Sequence, residues 1–205
     1  MQSLINMMKK IMVEKIYLMR HGLTESNKKK IYAGGSMEGL CEEGMEELFD
    51  VAEKLEGFKI EKIISSPVRR AVQSAVIINS FLNLNIEIED KFKEIQMGPW
   101  EGLSEDEVIK EYPEEWKIWN TKPSELRIND RETLAELQFR AVDGIKRLSD
   151  KAESFVLLVV THTAVIRVLY LYYNEMPLDE YRKIDVPNNS IFLLDNKHIS
   201  QVHLK

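Results

Sequence analysis

Residues 15–22 read KIYLMRHG, a short apolar run from Lys15 to Met19 that ends on Arg20, His21 and Gly22. Its length and composition predict a strand. That puts Arg20, His21 and Gly22 at the strand's carboxyl end, where open α/β sheets hold ligands. Two further runs repeat the arrangement. Phe155 to Val160 (FVLLVV) is unbroken and apolar, as a central strand covered on both faces is, and Thr161-His162-Thr163-Ala164 follows it. Lys62 to Ser65 is a third short strand, followed by Ser66-Pro67-Val68-Arg69-Arg70-Ala71. Here Ser66 is placed to cap the next helix and Pro67 to sit in its first turn, and the helix runs to about Asn83.

Between these junctions the periodicity changes. Met45, Leu48, Phe49, Ala52 and Leu55 recur at helical spacing and stop before Gly57, which suits a C-terminal cap. Ile86 and Ile88 alternate as a strand, and Lys93 to Leu103 (KEIQMGPWEGL) is a loop of turn formers. Ser104 with Glu107, and Thr133 with Glu136, match capping boxes. The second box opens a helix bearing Leu134, Leu137, Ala141, Ile145 and Leu148, and a mixed helix and loop insertion separates the two. Ser190 to Leu194 and Ile199 to Leu204, around Asn196-Lys197, predict a hairpin. Strands alternating with helices predict an α/β fold: a three-layer sandwich with a mostly parallel central sheet, helices on both faces and a C-terminal β-hairpin. No repeat, low-complexity tract or flexible linker divides the 205 residues, so residues 1–205 are expected to form one domain, with 1–11 a loose N-terminal extension.

Composition narrows the function. A net charge of -6 argues against a nucleic-acid partner, because neutralising a phosphate backbone demands a broad basic face. Any phosphate site must therefore be local. The apolar start is interrupted by Lys9, Lys10, Glu14 and Lys15, so no membrane span or export signal is expected. Cys41 is the single cysteine and can form neither an internal disulfide nor a thiolate metal cluster, which fits a reducing, cytoplasmic location. No metal-ligand spacing occurs, and no cofactor is expected.

Histidine and arginine side chains at three strand ends would converge on one crevice. Gly22 is expected to let the backbone approach a ligand closely. The helix start after Ser66 offers amide donors and positive dipole to an anion, and arginine suits bidentate phosphate contact. Adjacent helical residues diverge by about 100°, so only one of Arg69 and Arg70 can aim at a given phosphate.

The segments LMRHGLTESN, SSPVRRAVQSA, KEIQMGPWEGL and VVTHTAVIR resemble, in this order and over nearly the whole chain, the signatures of the histidine phosphatase superfamily, which shares its fold with phosphoglycerate mutases. Within it the chain is most similar to the short phosphatases, α-ribazole phosphatases and broad-specificity enzymes among them. The resemblance implies a metal-independent phosphomonoesterase that acts on a small phosphorylated metabolite, with α-ribazole phosphate one candidate. His21 would be the nucleophile, forming a phosphohistidine. Arg20, Arg70 and His162 would hold the phosphoryl oxygens, and Glu94 would be the general acid. The family pattern of Arg followed by Ala selects Arg70 over Arg69. Asn27 would touch the phosphate, the Ala33-Gly34 pair would close the loop over it, and Thr163 would tighten the pocket floor where a smaller residue is usual.

Three stretches depart from the pattern. Besides Thr163, Gly39-Leu40-Cys41 replaces Pro-Leu-Ser/Thr and is expected to alter only a cap. Arg131-Glu132-Thr133 stands where Gly-Glu-Ser is usual, beside the leaving-group pocket. Trp116 and Trp119 share a helical face and are assigned to core packing, Trp100 is a candidate wall of the site, and His198 and His203 are placed at the surface. Two rival functions stay open: a mutase that returns the phosphoryl group to another hydroxyl, and a catalytically silent module that binds phosphorylated ligands. The short chain and Lys93-Glu94-Ile95 favour hydrolysis.

Overall fold

The computed structural model describes residues 15–151, 156–195 and 198–204. Its strands are β1 (Lys15–Arg20), β2 (Lys62–Ser65), β3 (Ile86–Ile88), β4 (Val156–Thr161), β5 (Ile191–Asp195) and β6 (His198–Val202). They form one sheet in the order β3-β2-β4-β1-β5-β6. The four strands from β3 to β1 run parallel, and β5 and β6 are antiparallel additions at the β1 side. The helices are α1 (Glu25–Lys28), α2 (Glu42–Leu55), α3 (Arg69–Leu82), α4 (Glu105–Glu111), α5 (Pro113–Thr121), α6 (Leu134–Lys151) and α7 (Thr163–Tyr173).

Period-two alternation along the strands makes the three layers. Ile16 and Leu18 of β1, with Leu157 and Val159 of β4, pack with Leu137, Ala141 and Ile145 of α6 and Val165 and Leu169 of α7. Tyr17, Met19, Leu158 and Val160 point the other way, onto Leu48, Ala52 and Leu55 of α2 and Ala71, Ala75 and Ile78 of α3. Each such buried apolar side chain contributes about 1.5–3 kcal/mol, which is why the central strands contain no polar interruption.

The capping boxes at Ser104 and Thr133 form as their spacing predicts. Two other caps differ. Gly57 lies inside a one-turn 3-10 extension of α2, and Lys59 takes the left-handed conformation (φ 55°) that ends it. Ser66 does not cap α3, whose N-cap is Val68 with no side-chain bond; Ser66 serves a histidine instead. Cys41 offers no side-chain cap to α2, and its Sγ donates to the Leu23 carbonyl at 3.4 Å. Met45 and Phe49, read as part of the apolar stripe of α2, lie on its exposed shoulder. The expected loose extension at 1–11, Phe155 and the Asn196-Lys197 turn fall outside the described residues. Among the described residues no helix is long and apolar enough to cross a membrane.

Register positions the site. Parallel pairing sets Arg20 opposite Thr161 and Ser65 opposite Val160. The ladder then continues one step, with His21 N–H donating to Thr161 O and Ser66 N–H to Val160 O, each at 3.0 Å. Ser66, His162 and His21 therefore leave three adjacent strands at nearly the same level.

Candidate active site

The imidazoles of His21 and His162 face each other with ring centroids 5.2 Å apart and planes 59° apart, and both are buried. Two contacts agree on the tautomer of His21. Its Nδ1 lies 2.7 Å from the Gly22 carbonyl, which can only accept, so Nδ1 carries the proton. Its Nε2, left with the lone pair, accepts from Arg70 Nε at 3.1 Å. Burial, reinforced by the positive charges of Arg70 and Arg20, holds the His21 pKa well below the ordinary histidine value, so the ring is neutral. The pKa of His162 is lowered in the same direction, mainly by burial.

Arg70 lies in the first turn of α3 and points inward, whereas Arg69 is exposed, which resolves the choice between them on geometry. Its Nη2 donates to Gly34 O at 2.7 Å, so the Ala33-Gly34 turn is tied to the same guanidinium that meets His21. Gly34 has φ +48°, a conformation that disfavours larger residues. Gly22 also makes room for a protein neighbour. A Cβ there would come within 2.8 Å of Leu48 and 3.0 Å of Gly44 O, so its small size admits α2.

Arg20 donates from Nη1 to Val186 O at 2.6 Å, while its Nε is buried with no partner among the described residues. Burial brings its pKa down to about 10, so it stays a cation at neutral pH. His162 Nε2 meets Ser66 Oγ at 2.7 Å, and His162 Nδ1 is likewise buried without a partner. Buried polar atoms left unmatched by protein are uncommon, and two beside one cleft mark a place where another group supplies the partners.

Glu94 stands half-buried at the edge of this cleft, its Oε1 accepting from Ile95 N–H at 2.9 Å. Desolvation raises its pKa, against the lowering influence of Arg70, the Ile95 amide and Arg20. The segment that carries it is clamped from behind. Arg140 of α6 donates to the carbonyls of Lys91, Lys93 and Glu94 at 2.7, 2.8 and 3.2 Å, and forms a two-pronged pair with Glu132 at 2.6 and 2.8 Å. Glu132 in turn accepts from Gln96 N–H at 3.3 Å.

The cleft holds about 310 Å³ and is lined by Arg20, His21, Asn27, Ala33, Gly34, Arg70, Glu94 and Thr163 among the residues singled out by sequence. His162 sits just beneath, against His21. Trp119 is buried in the core, as expected, and also lines the cleft, while Trp100, expected as a wall, is fully buried behind it. Arg131 places its guanidinium 4.5 Å from the Trp119 ring centroid and 5.2 Å from that of Trp100, so its departure from glycine builds the aromatic wall from inside. Asn27 closes a capping box with Thr24, and its Oδ1 accepts from Asn188 Nδ2 at 2.9 Å, which leaves its amide N–H groups to face the cleft it lines.

Sequence reading passed over Asn188, which also donates to the carbonyls of His21 and Gly22 at 3.1 Å each. It missed the Arg140–Glu132 clamp, Ser66 as the partner of His162, and Arg167 and Arg182 in the cleft wall as well. Ser66, Glu132 and Arg167 stood in segments already marked, SSPVRRAVQSA, Arg131-Glu132-Thr133 and VVTHTAVIR, whereas Asn188, Arg140 and Arg182 did not. His198 and His203 are exposed, as expected. Among the described residues no group of three His, Cys, Asp or Glu side chains is arranged to hold a metal ion.

Comparison with known proteins follows the same lines. The chain is 27% identical over 191 residues to phosphoserine phosphatase 1 of Hydrogenobacter thermophilus, covering 93% of this chain and 90% of that protein. It is 32% identical over 154 residues to the uncharacterized phosphatase PhoE of Bacillus subtilis, covering 75% and 74% of the two. The solved structure of Bacillus stearothermophilus YhfR matches with a TM-score of 0.84 at 25% identity, over 91% of this chain and 94% of that one. The model of the histidine phosphatase superfamily (branch 1) matches residues 16–203, and the chain belongs to that superfamily.

Proposed function

We propose that the protein is a phosphomonoesterase that hydrolyses a small phosphorylated metabolite through a phosphohistidine on His21, with residues 1–205 acting as one cytoplasmic domain. The observation that carries this reading is a neutral imidazole with its Nε2 lone pair held beside Arg70, facing a second buried imidazole 5.2 Å away. Nε2 attacks phosphorus while Arg70 exchanges its bond to the ring for a bond to a phosphoryl oxygen. Arg20 Nε supplies a further donor. Ser66 Oγ accepts Val68 N–H at 3.3 Å and can give its own proton to His162 Nε2, so that Nδ1 of His162 presents N–H to the phosphoryl group. Phosphoryl transfer is mostly positioning and electrostatic stabilisation, which such a set of donors provides.

Glu94, whose acid form is favoured by desolvation, gives a proton to the departing oxygen. As carboxylate it then takes a proton from water, whose oxygen attacks the phosphohistidine and releases phosphate. The family resemblance and the phosphatases among the relatives support hydrolysis over transfer to a second hydroxyl. Incubation with p-nitrophenyl phosphate in EDTA tests the reading: the native protein releases nitrophenol, and His21→Ala does not. No release by the native protein favours a silent binding module. Conversion of 3-phosphoglycerate to its 2-isomer without free phosphate makes it a mutase.

A further inference from the structure

The turn that carries Val186 to Ser190 is fastened to the first strand at both ends. Arg20 Nη1 donates to Val186 O at 2.6 Å, and Arg20 N–H donates to Ser190 O at 3.1 Å. Asn189, in the left-handed region at φ 61°, donates from Nδ2 to Glu47 Oε2 at 2.9 Å, which ties the turn to α2 as well. A side chain on a turn pinned in this way keeps a fixed place relative to the strand end that bears His21. Asn188 is that side chain.

Its contacts settle which way its amide faces. Nδ2 lies 3.1 Å from both His21 O and Gly22 O and 2.9 Å from Asn27 Oδ1, and Gly22 O is the same carbonyl that holds the Nδ1 proton of His21. Backbone carbonyls only accept, so the atom that faces them is the nitrogen of the carboxamide. The constraint then passes to Asn27. It meets an N–H from Asn188 and a second from the Thr24 backbone at 3.3 Å, and both need an acceptor, so Oδ1 turns inward and Nδ2 toward the cleft that Asn27 lines. Reversed, the Asn27 amide would set N–H against N–H inside and present a carbonyl oxygen to an incoming anion. Carbonyls of the nucleophile's own loop thus fix the direction of a donor in the cleft, through one intermediate amide.

We propose that Asn188 is a positioning residue for the phosphoryl group: it orients the amide of Asn27 toward the anion and locks that orientation to the backbone that carries His21. Asn188 is not among the residues lining the cleft, so it acts through Asn27. The proposal rests on the phosphatase reading above only in taking the cleft as a phosphoryl site.

Calorimetric titration with orthovanadate, a phosphate mimic, reads the effect without requiring turnover. Asn27→Ala is expected to weaken binding about 10-fold, the worth of one hydrogen bond to a charged group. Asn188→Ala frees the Asn27 amide to rotate and is expected to weaken binding about 3- to 10-fold. Because one residue works through the other, the double variant binds no worse than Asn27→Ala alone, whereas independent contributions would multiply. Asn188→Asp keeps the shape but offers only acceptors and draws the Asn27 N–H groups inward. It is expected to bind vanadate more weakly than Asn188→Ala does, and adding Asn27→Ala to it restores part of the loss. A merely structural role predicts the opposite order, with the isosteric Asp tolerated better than Ala. Should Asn188→Ala fail to fold, Asn188→Asp with and without Asn27→Ala decides alone. Losses that multiply in the double variant, unchanged affinity in Asn188→Ala, or no relief of Asn188→Asp by Asn27→Ala overturns the positioning role. Failure of the phosphatase reading shows itself differently, as vanadate binding without hydrolysis of p-nitrophenyl phosphate, and the same titrations still decide the part played by Asn188. A native protein that binds no vanadate overturns both.

Discussion

Replacing Arg140 with Met separates two jobs that one side chain performs. Arg140 and Glu132 are only 19% and 14% exposed, so the change leaves a largely buried carboxylate without its partner. Breaking such a pair costs about 3 kcal/mol, which for a chain of this size lowers Tm by roughly 10 °C. It also releases the carbonyls of Lys91, Lys93 and Glu94, three consecutive anchors of the segment bearing the proposed acid. A misplacement of about 1 Å in a catalytic group costs about 100-fold. That loss should fall on substrates that need protonation of the leaving oxygen. The assay is kcat for glycerol phosphate against p-nitrophenyl phosphate, read beside thermal melting. Arg140→Met is expected to lower kcat for the alkyl ester about 100-fold and for the aryl ester far less. The double variant Arg140→Met with Glu132→Met removes the orphaned charge and regains much of the Tm, because a buried pair replaced by apolar side chains is often neutral in stability. It stays slow with the alkyl ester, since no donor returns to the three carbonyls. Equal losses for both esters, or a double variant that recovers rate along with stability, refutes the positioning role.

Glu94→Gln is expected to abolish the alkaline limb of the pH profile. kcat/KM rises as His21 loses its proton, at a pKa pushed well below the usual value, and falls as Glu94 loses its own, at a pKa pushed up; an alkaline fall that persists in the variant identifies another acid. Ser66→Ala strips His162 Nε2 of its partner in a buried site, with an expected loss of about 1–3 kcal/mol of stability. It should also change the tautomer of His162, readable in the nitrogen shifts of the labelled ring, and an unchanged tautomer dismisses the role of Ser66. Acid should destabilise the fold steeply. Both buried histidines bind protons in the unfolded chain but not in the folded one below pH about 6.5, so stability falls with falling pH by up to about 1.4 kcal/mol per unit for each ring. Glu94, with its pKa raised from 4.5, acts in the opposite sense, its contribution being lost as pH rises through the raised value. Denaturant titrations at several pH values measure the slope, which His162→Gln should halve.

What was legible in the sequence was whatever depends on neighbours along the chain. Apolar runs at Lys15–Arg20, Lys62–Ser65 and Val156–Thr161 marked the parallel strands, because a strand covered on both faces tolerates no polar side chain. The polar residues just past those runs marked the site, because only the strand ends open to ligand. Both capping boxes were readable for the same reason, each being a contact between residues three apart. Ser66 was noticed but given the wrong partner, its hydroxyl pairing with His162, 96 positions away, and the room that Gly22 makes for α2 went unread. Asn188 lies 167 positions from His21, and the Arg140–Glu132 clamp reaches back 46 positions to Glu94. Those contacts depend on how α6 and the final loop dock against the sheet, and no local spacing encodes that. Arg70 was selected over Arg69 by the resemblance, and its inward direction, like the tautomer of His21, is seen only in the tertiary structure. Side-chain direction, burial and charge balance are properties of groups brought together from distant parts of the chain, whereas strand ends and helix caps are written in consecutive residues.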